Sequence, residues 1–247
     1  MKKIYLGSIE GIEKEAVRDL LAERDWELLE KAPAEEADSH ETGGEGAHVL
    51  EGRLDSRMEH AAFRVETVKE RIRQMALLGY SRLFLYTEDT YEVEGYPYFG
   101  ALRGRYKKEE IKECDAYAAM FGIEMIPCVQ TLAHLRTVLR WPAMMEYRDD
   151  EDILIVEEEK TYRLIDAMLK SLSEMYTSRR IHLGMDEAFY MGYGNYRKKN
   201  GVPEQGALIK RHLDRVLEIC GKYGLEPMIW SDMFFVGAGR RRRPEGL

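Results

Sequence analysis

The chain is poor in cysteine, with three among 247 residues: Cys114, Cys128 and Cys220. An odd count at wide spacing is no disulfide framework, and without a Cys-x-x-Cys pair the common thiolate metal sites are missing. The three thiols read as small buried hydrophobes in a reduced, cytoplasmic protein. No run of about 18 apolar residues offers a membrane span. The apolar part of Met1 to Gly7 is too short for a secretory signal. Net charge is −8, with both signs mixed along most of the chain, which argues against a nucleic-acid partner. The exception is the run Arg240 to Arg243. No Gly-x-Gly-x-x-Gly follows the first expected strand, so the phosphate turn of a doubly wound sheet is lacking.

Hydrophobic residues make up 45% of the chain, enough for a sizeable core. Residues 1 to 45 stand apart. Ile4 to Leu6 suit a short strand, Ile12, Ala16, Val17, Leu20 and Leu21 recur at helical spacing, and the stretch after Pro33 is polar and Gly-containing, as in a linker.

A regular rhythm then begins, with a first strand expected near Ala47 to Leu54. Val65, Val68, Ile72, Met75 and Ala76 share a helix face, Gly79 caps it, and Leu83 to Tyr86 reads as a strand. The pattern repeats with a helix at Ile111 to Phe121 and a strand at Ile123 to Val129. It repeats again with a helix at Leu164 to Met175 and a strand at Ile181 to Gly184. A last helix at Ile209 to Cys220 leads to a strand at Leu225 to Trp230. Such alternation predicts an α/β fold with a parallel sheet, of the (β/α)8 TIM-barrel type. Five strands cannot close eight, so the chain reads as an incomplete barrel over residues 46–236, preceded by the segment 1–45 and followed by a disordered Arg-rich tail at 237–247. Open strand edges would invite pairing with a second copy, a homo-oligomer.

The sharpest chemical feature is Arg180-Ile-His-Leu-Gly-Met-Asp-Glu-Ala188, a strand running into two adjacent carboxylates. Neighbours on a strand point to opposite faces, but at its end both can turn into a barrel mouth. There, burial and a neighbouring negative charge would raise the pKa of one and leave the other ionised. The alternative is a helix N-terminus, which also favours acidic residues.

His182-Leu-Gly-Met-Asp-Glu187 resembles the His-x-Gly-x-Asp-Glu motif of family 20 glycoside hydrolases, the β-N-acetylhexosaminidases. Leu85-Tyr-Thr-Glu-Asp-Thr-Tyr91, Ile126-Pro-Cys-Val-Gln-Thr-Leu-Ala-His-Leu135 and Trp230-Ser-Asp-Met-Phe234 are similar to further blocks of that family, in its order. The likeness is strongest to its intracellular bacterial branch, similar to hexosaminidase D.

The resemblance implies hydrolysis of terminal β-linked N-acetylhexosamine, GlcNAc or GalNAc, from a glycan, with no cofactor and no metal. It implies that Glu187 protonates the leaving oxygen and Asp186 orients the 2-acetamido group, whose oxygen attacks the anomeric carbon with retention of configuration. It puts His134 near the acid and the sugar. His182 reads as a participant or a core hydrogen-bonding residue. Glu88 and Asp89 read as site-lining, orienting a side chain or binding a hydroxyl, or else as a solvated loop. Arg103 and Arg105 suit either a bidentate contact or a structural salt bridge. Trp230 suits stacking on a pyranose and Asp232 a sugar hydroxyl, with core packing as the plain alternative for Trp230. Tyr190, Tyr193 and Tyr196 suit aglycone subsites. Family members continue past the fifth strand with residues that finish the pocket, so weak or absent turnover is expected of this chain alone. Two competing readings are a metal-dependent hydrolase using His134, His182, Asp186 and Glu187, and a carbohydrate-binding or scaffold fragment without turnover.

Overall fold

A computed structural model describes residues 62–230 and Met233 in full, and the backbone of three short strands before them. Those strands are β1 (Lys2–Ile4), β2 (Trp26–Leu28) and β3 (Gly46–Glu51). β1 and β2 pair in parallel. The helix expected over residues 12–21, the polar stretch after Pro33, Asp232 and the tail at 237–247 lie outside the described residues.

Helix α1 (Val65–Leu77) buries Val68, Ile72 and Met75, the stripe its spacing predicts. Gly79, at φ 76°, turns the chain into β4 (Tyr80–Glu88), which buries Leu83 and Leu85. Helix α2 (Lys108–Ala119) starts with Glu110 accepting from the Lys107 N–H at 2.7 Å and buries Ile111, Cys114 and Ala118. β5 (Glu124–Val129) is buried at every residue but its first, as expected of a parallel sheet covered on both faces. A one-turn helix α3 (Arg136–Leu139), a 3-10 turn (Pro142–Tyr147) and the long α4 (Glu159–Met175) follow. β6 (Arg180–His182), α5 (Asn195–Asn200), α6 (Gln205–Lys222) and β7 (Glu226–Met228) complete the described elements.

The sheet order is β3-β4-β5-β6-β7, every pair parallel. Each strand lies beside its neighbour in sequence, with no reversal. A doubly wound sheet reverses at its switch point, whereas a barrel wall runs sequentially. The observed order therefore excludes the doubly wound alternative for these five strands. The sixth strand is shorter than the sequence suggests, ending at His182 instead of Gly184. The reason is local: Gly184 sits at φ 71°, in the left-handed region that no strand accommodates. All three cysteines are buried and free, and burial pushes the thiols of Cys114 and Cys128 up to about 12 and that of Cys220 to about 11. Among the described residues no helix is long and apolar enough to cross a membrane.

Candidate active site

The parallel sheet brings the C-terminal ends of its strands to one edge, and the polar residues singled out in the sequence gather there. Backbone strain gathers there too. Among the described residues, non-glycine left-handed conformations occur at Glu88 (φ 47°), His134 (φ 57°), Met185 (φ 71°) and Glu187 (φ 53°), all at or just past strand ends; Leu102 and Glu157 are the others. Such residues cost of order 1–3 kcal/mol each and persist where surrounding contacts impose them.

Met185 and Glu187, together with Gly184, break the period-two alternation after β6. The result is that Asp186 and Glu187, adjacent in sequence, approach one imidazole. His134 Nε2 lies 3.3 Å from Asp186 Oδ2 and 3.7 Å from Glu187 Oε2. The side chains of His134 and Asp186 are mostly buried, whereas that of Glu187 is 64% exposed. The burial expected for the proton donor is thus not found at Glu187, since its carboxyl projects past the strand end into solvent.

The charges are mutually consistent. The Asp186 carboxylate beside the ring raises His134 to about 9, against the opposing effect of burial. Burial pushes Asp186 upward, but His134 and Gln130 outweigh it and hold its carboxyl below the usual value. At neutral pH the cluster is an imidazolium beside an ionised Asp186.

Gln130 is a residue whose role sequence reasoning missed. It directly follows β5, is fully buried, and donates from Nε2 to Asp186 Oδ1 at 2.9 Å. Its signal was an uncharged polar side chain closing an otherwise apolar strand. Thr131 ties the same segment to β6, donating from both N–H and hydroxyl to the Leu183 carbonyl.

His182 faces Trp230, with ring centroids 4.5 Å apart at 50°. Its Nδ1 accepts from the Gly184 N–H at 3.2 Å, and burial lowers its pKa, so it is a neutral ring with Nε2 protonated. Trp230 is 43% exposed, and its backbone N–H donates to the Gly184 carbonyl, which sets the residue beside the Asp-Glu segment.

Glu88 and Asp89 end β4 but are buried. Arg103 Nη2 pairs with Glu88 Oε2 at 2.9 Å, and its Nη1 donates to Asp89 and to Thr137 Oγ1. Burial raises Asp89 to about 6 despite Arg103. Of the two uses suggested for Arg103 the salt bridge is the one found. Arg105 is engaged with the Pro97 and Phe99 carbonyls.

Tyr190 and Tyr193 are exposed in the loop after β6. Tyr196 is not available to line a subsite. It is buried, and its hydroxyl donates to Glu157 Oε2 at 2.6 Å. Asp149 shapes this loop by accepting from the N–H groups of Gly192 and Tyr196. A cleft of about 510 Å³ between the start of α2 and α4, lined by Glu94, Lys108, Lys170 and Glu174 among others, contains none of the strand-end residues. No cluster of three or more His, Cys, Asp or Glu among the described residues is arranged to hold a metal ion. His182 in particular is turned to Trp230 and the Gly184 N–H.

Residues 59–242 match the family described as glycosyl hydrolase family 20, catalytic domain. Human hexosaminidase D is 28% identical over 165 residues, which are 63% of this chain and 34% of that protein. The chain thus spans about a third of the length of that relative. Among solved structures, a β-N-acetylhexosaminidase from Bacteroides fragilis superposes with a TM-score of 0.66 at 18% identity, over 78% of this chain and 43% of that one. A GH20 exo-β-N-acetylglucosaminidase from Vibrio harveyi, in complex with N-acetylglucosamine, gives 0.63 at 16%, over 79% of this chain and 36% of that one.

Proposed function

The chain belongs to glycosyl hydrolase family 20, and from that premise we propose that it removes a terminal β-linked N-acetylhexosamine from a glycan by substrate-assisted, retaining catalysis. The observation that carries this reading is the approach of both carboxylates to one imidazole, His134. An ionised Asp186 beside the acetamido N–H stabilises positive charge as the acetamido oxygen attacks the anomeric carbon. Holding that oxygen in place gives an internal nucleophile high effective molarity. Glu187 donates its proton to the departing oxygen and then takes one from the incoming water. Its exposure gives both access. The exposed indole of Trp230 suits the apolar face of the sugar, and Tyr193 suits the aglycone side. The five strands form part of a (β/α)8 barrel wall over residues 46–236, with 1–45 as a separate segment. Three buried free thiols support a cytoplasmic setting.

The test is hydrolysis of aryl N-acetyl-β-glucosaminides with graded leaving groups. Glu187→Gln is expected to slow poor leaving groups far more than good ones, which need less protonation. Asp186→Asn is expected to slow all of them. Equal losses across the series would overturn the two roles.

A further inference from the structure

Gln130 has more contacts than a core glutamine needs. Its side chain offers two N–H donors and one carbonyl, and all are engaged. Nε2 donates to Tyr86 Oη at 3.0 Å and to Asp186 Oδ1 at 2.9 Å. Oε1 accepts from the Met185 N–H at 3.3 Å. Turning the amide over would set its oxygen against the Asp186 carboxylate and strand the Met185 N–H, so only one orientation satisfies every partner.

The backbone is shaped to admit this side chain. A Cβ on Gly184 would lie 2.1 Å from Gln130 Oε1, and Gly184 is left-handed as well. The glycine two residues before Asp186 is therefore the space the carboxamide occupies. Three strands meet at one amide: β4 through Tyr86, β5 through Gln130 itself, and β6 through the Met185–Asp186 segment.

From this geometry we infer that Gln130 is a positioning residue for the proposed reaction: its locked carboxamide fixes the Asp186 carboxylate in the direction from which it meets the acetamido group. This inference rests on the role proposed for Asp186. Oδ1 is held by Gln130 while Oδ2 faces His134, so the carboxylate plane is set by two neighbours from β5 and its loop. The titratable groups facing it are Tyr86 from β4, Cys128 and His134 from β5 and its loop, and His182 and Glu187 from β6 and its extension. Of the groups that bond Asp186, Gln130 can neither gain nor lose a proton, so the direction it imposes is the same at every working pH.

The experiment uses the full 247-residue chain. The Asp186 carboxyl is titrated by carbon-13 NMR, assigned by its loss in Asp186→Asn, and binding of N-acetylglucosamine-thiazoline is measured by calorimetry across pH. The variants are Gln130→Glu, which matches the shape but opposes a carboxylate to Asp186, Gln130→Met, which keeps bulk without a donor, and Tyr86→Phe, which removes the far anchor. The titration midpoint of Asp186 is expected to rise in Gln130→Glu and Gln130→Met. Thiazoline affinity is expected to fall about tenfold or more in both, with an intermediate loss in Tyr86→Phe. In Gln130→Glu the affinity is expected to fall as pH rises and the introduced carboxylate ionises. Wild-type binding with unchanged affinity and an unchanged midpoint in Gln130→Met and Gln130→Glu would overturn the inference alone. If both glutamine variants fail to fold, unchanged affinity in Tyr86→Phe overturns it and a loss supports it. No thiazoline binding by the wild type would instead strike the proposed function, and the inference with it.

Discussion

His134 Nε2 stands 3.3 Å from Asp186 Oδ2 and 3.7 Å from Glu187 Oε2, so one ring spans two carboxylates adjacent in sequence. A positive charge shared in this way relieves their repulsion and ties the loop after β5 to the loop after β6. The contact joins residues from two segments that, on a flat reading of the chain, have no relation.

His134 is held at about 9 against a usual 6.5. A group whose pKa is raised by folding stabilises the protein fully below its unfolded value and loses that contribution as pH climbs through the folded one. Urea unfolding of the wild type is therefore expected to lose about 1–2 kcal/mol between pH 6.5 and 9 that His134→Gln does not lose. Asp186, held below its usual value, acts in the opposite sense: its share is present above pH 3.8 and disappears as pH falls below it. Parallel curves for wild type and variant over the alkaline range would contradict this account.

Arg103 neutralises Glu88 and Asp89 where both are buried. Arg103→Met is expected to cost about 3–5 kcal/mol at pH 7, since two buried carboxylates lose their counter-charge. Asp89 already binds its proton more tightly than an ordinary aspartate, at about 6. The variant should therefore recover stability as pH falls from 7 toward 5, where the folded state takes up protons the unfolded state does not. Denaturant midpoints at the two pH values decide it.

Gly184→Ala is expected to destabilise by about 2 kcal/mol or more, from left-handed backbone and a Cβ clash combined. The clash is chiefly with Gln130 Oε1 at 2.1 Å, with the Val129 carbonyl next at 2.8 Å. The cost should accordingly shrink in a Gln130→Ala background without vanishing. Thermal unfolding of the four proteins of that cycle measures the coupling.

Asp149 holds the loop carrying Tyr190 and Tyr193 through the N–H groups of Gly192 and Tyr196. Asp149→Ala leaves these donors without their partner, at a cost of about 1–3 kcal/mol. Hydrogen exchange over residues 190–196 is expected to quicken, with little change in β4 and β5. Unaltered exchange there would show that the loop is held by other contacts.

Several of the residues that gather at the strand ends were legible before the structure because their signals are local. The Asp-Glu pair follows an apolar strand with a glycine, and His134 closes a block with a distinct order of residues. Gln130 was in plain view within the same block but carried no recognisable role, because its partners are 44 and 56 residues away. Tyr196 misled for the converse reason. A tyrosine in a Gly-containing loop looks exposed until Glu157, 39 residues earlier, is found to accept a hydrogen bond from its hydroxyl.

The sequence by itself determined the order of strands and helices, since side-chain periodicity and glycine stops act over a few residues. It also showed two adjacent carboxylates, Asp186 and Glu187, at the end of an apolar strand. The tertiary structure decided what surrounds them. Period-two alternation would send Asp186 and Glu187 to opposite faces, and only packing across β4, β5 and β6 imposes the left-handed backbone at Gly184, Met185 and Glu187 that turns both toward His134. The same packing buried Glu88 and Asp89 against Arg103. Charge and burial at one point depend on neighbours distant in the chain, and no local pattern encodes them.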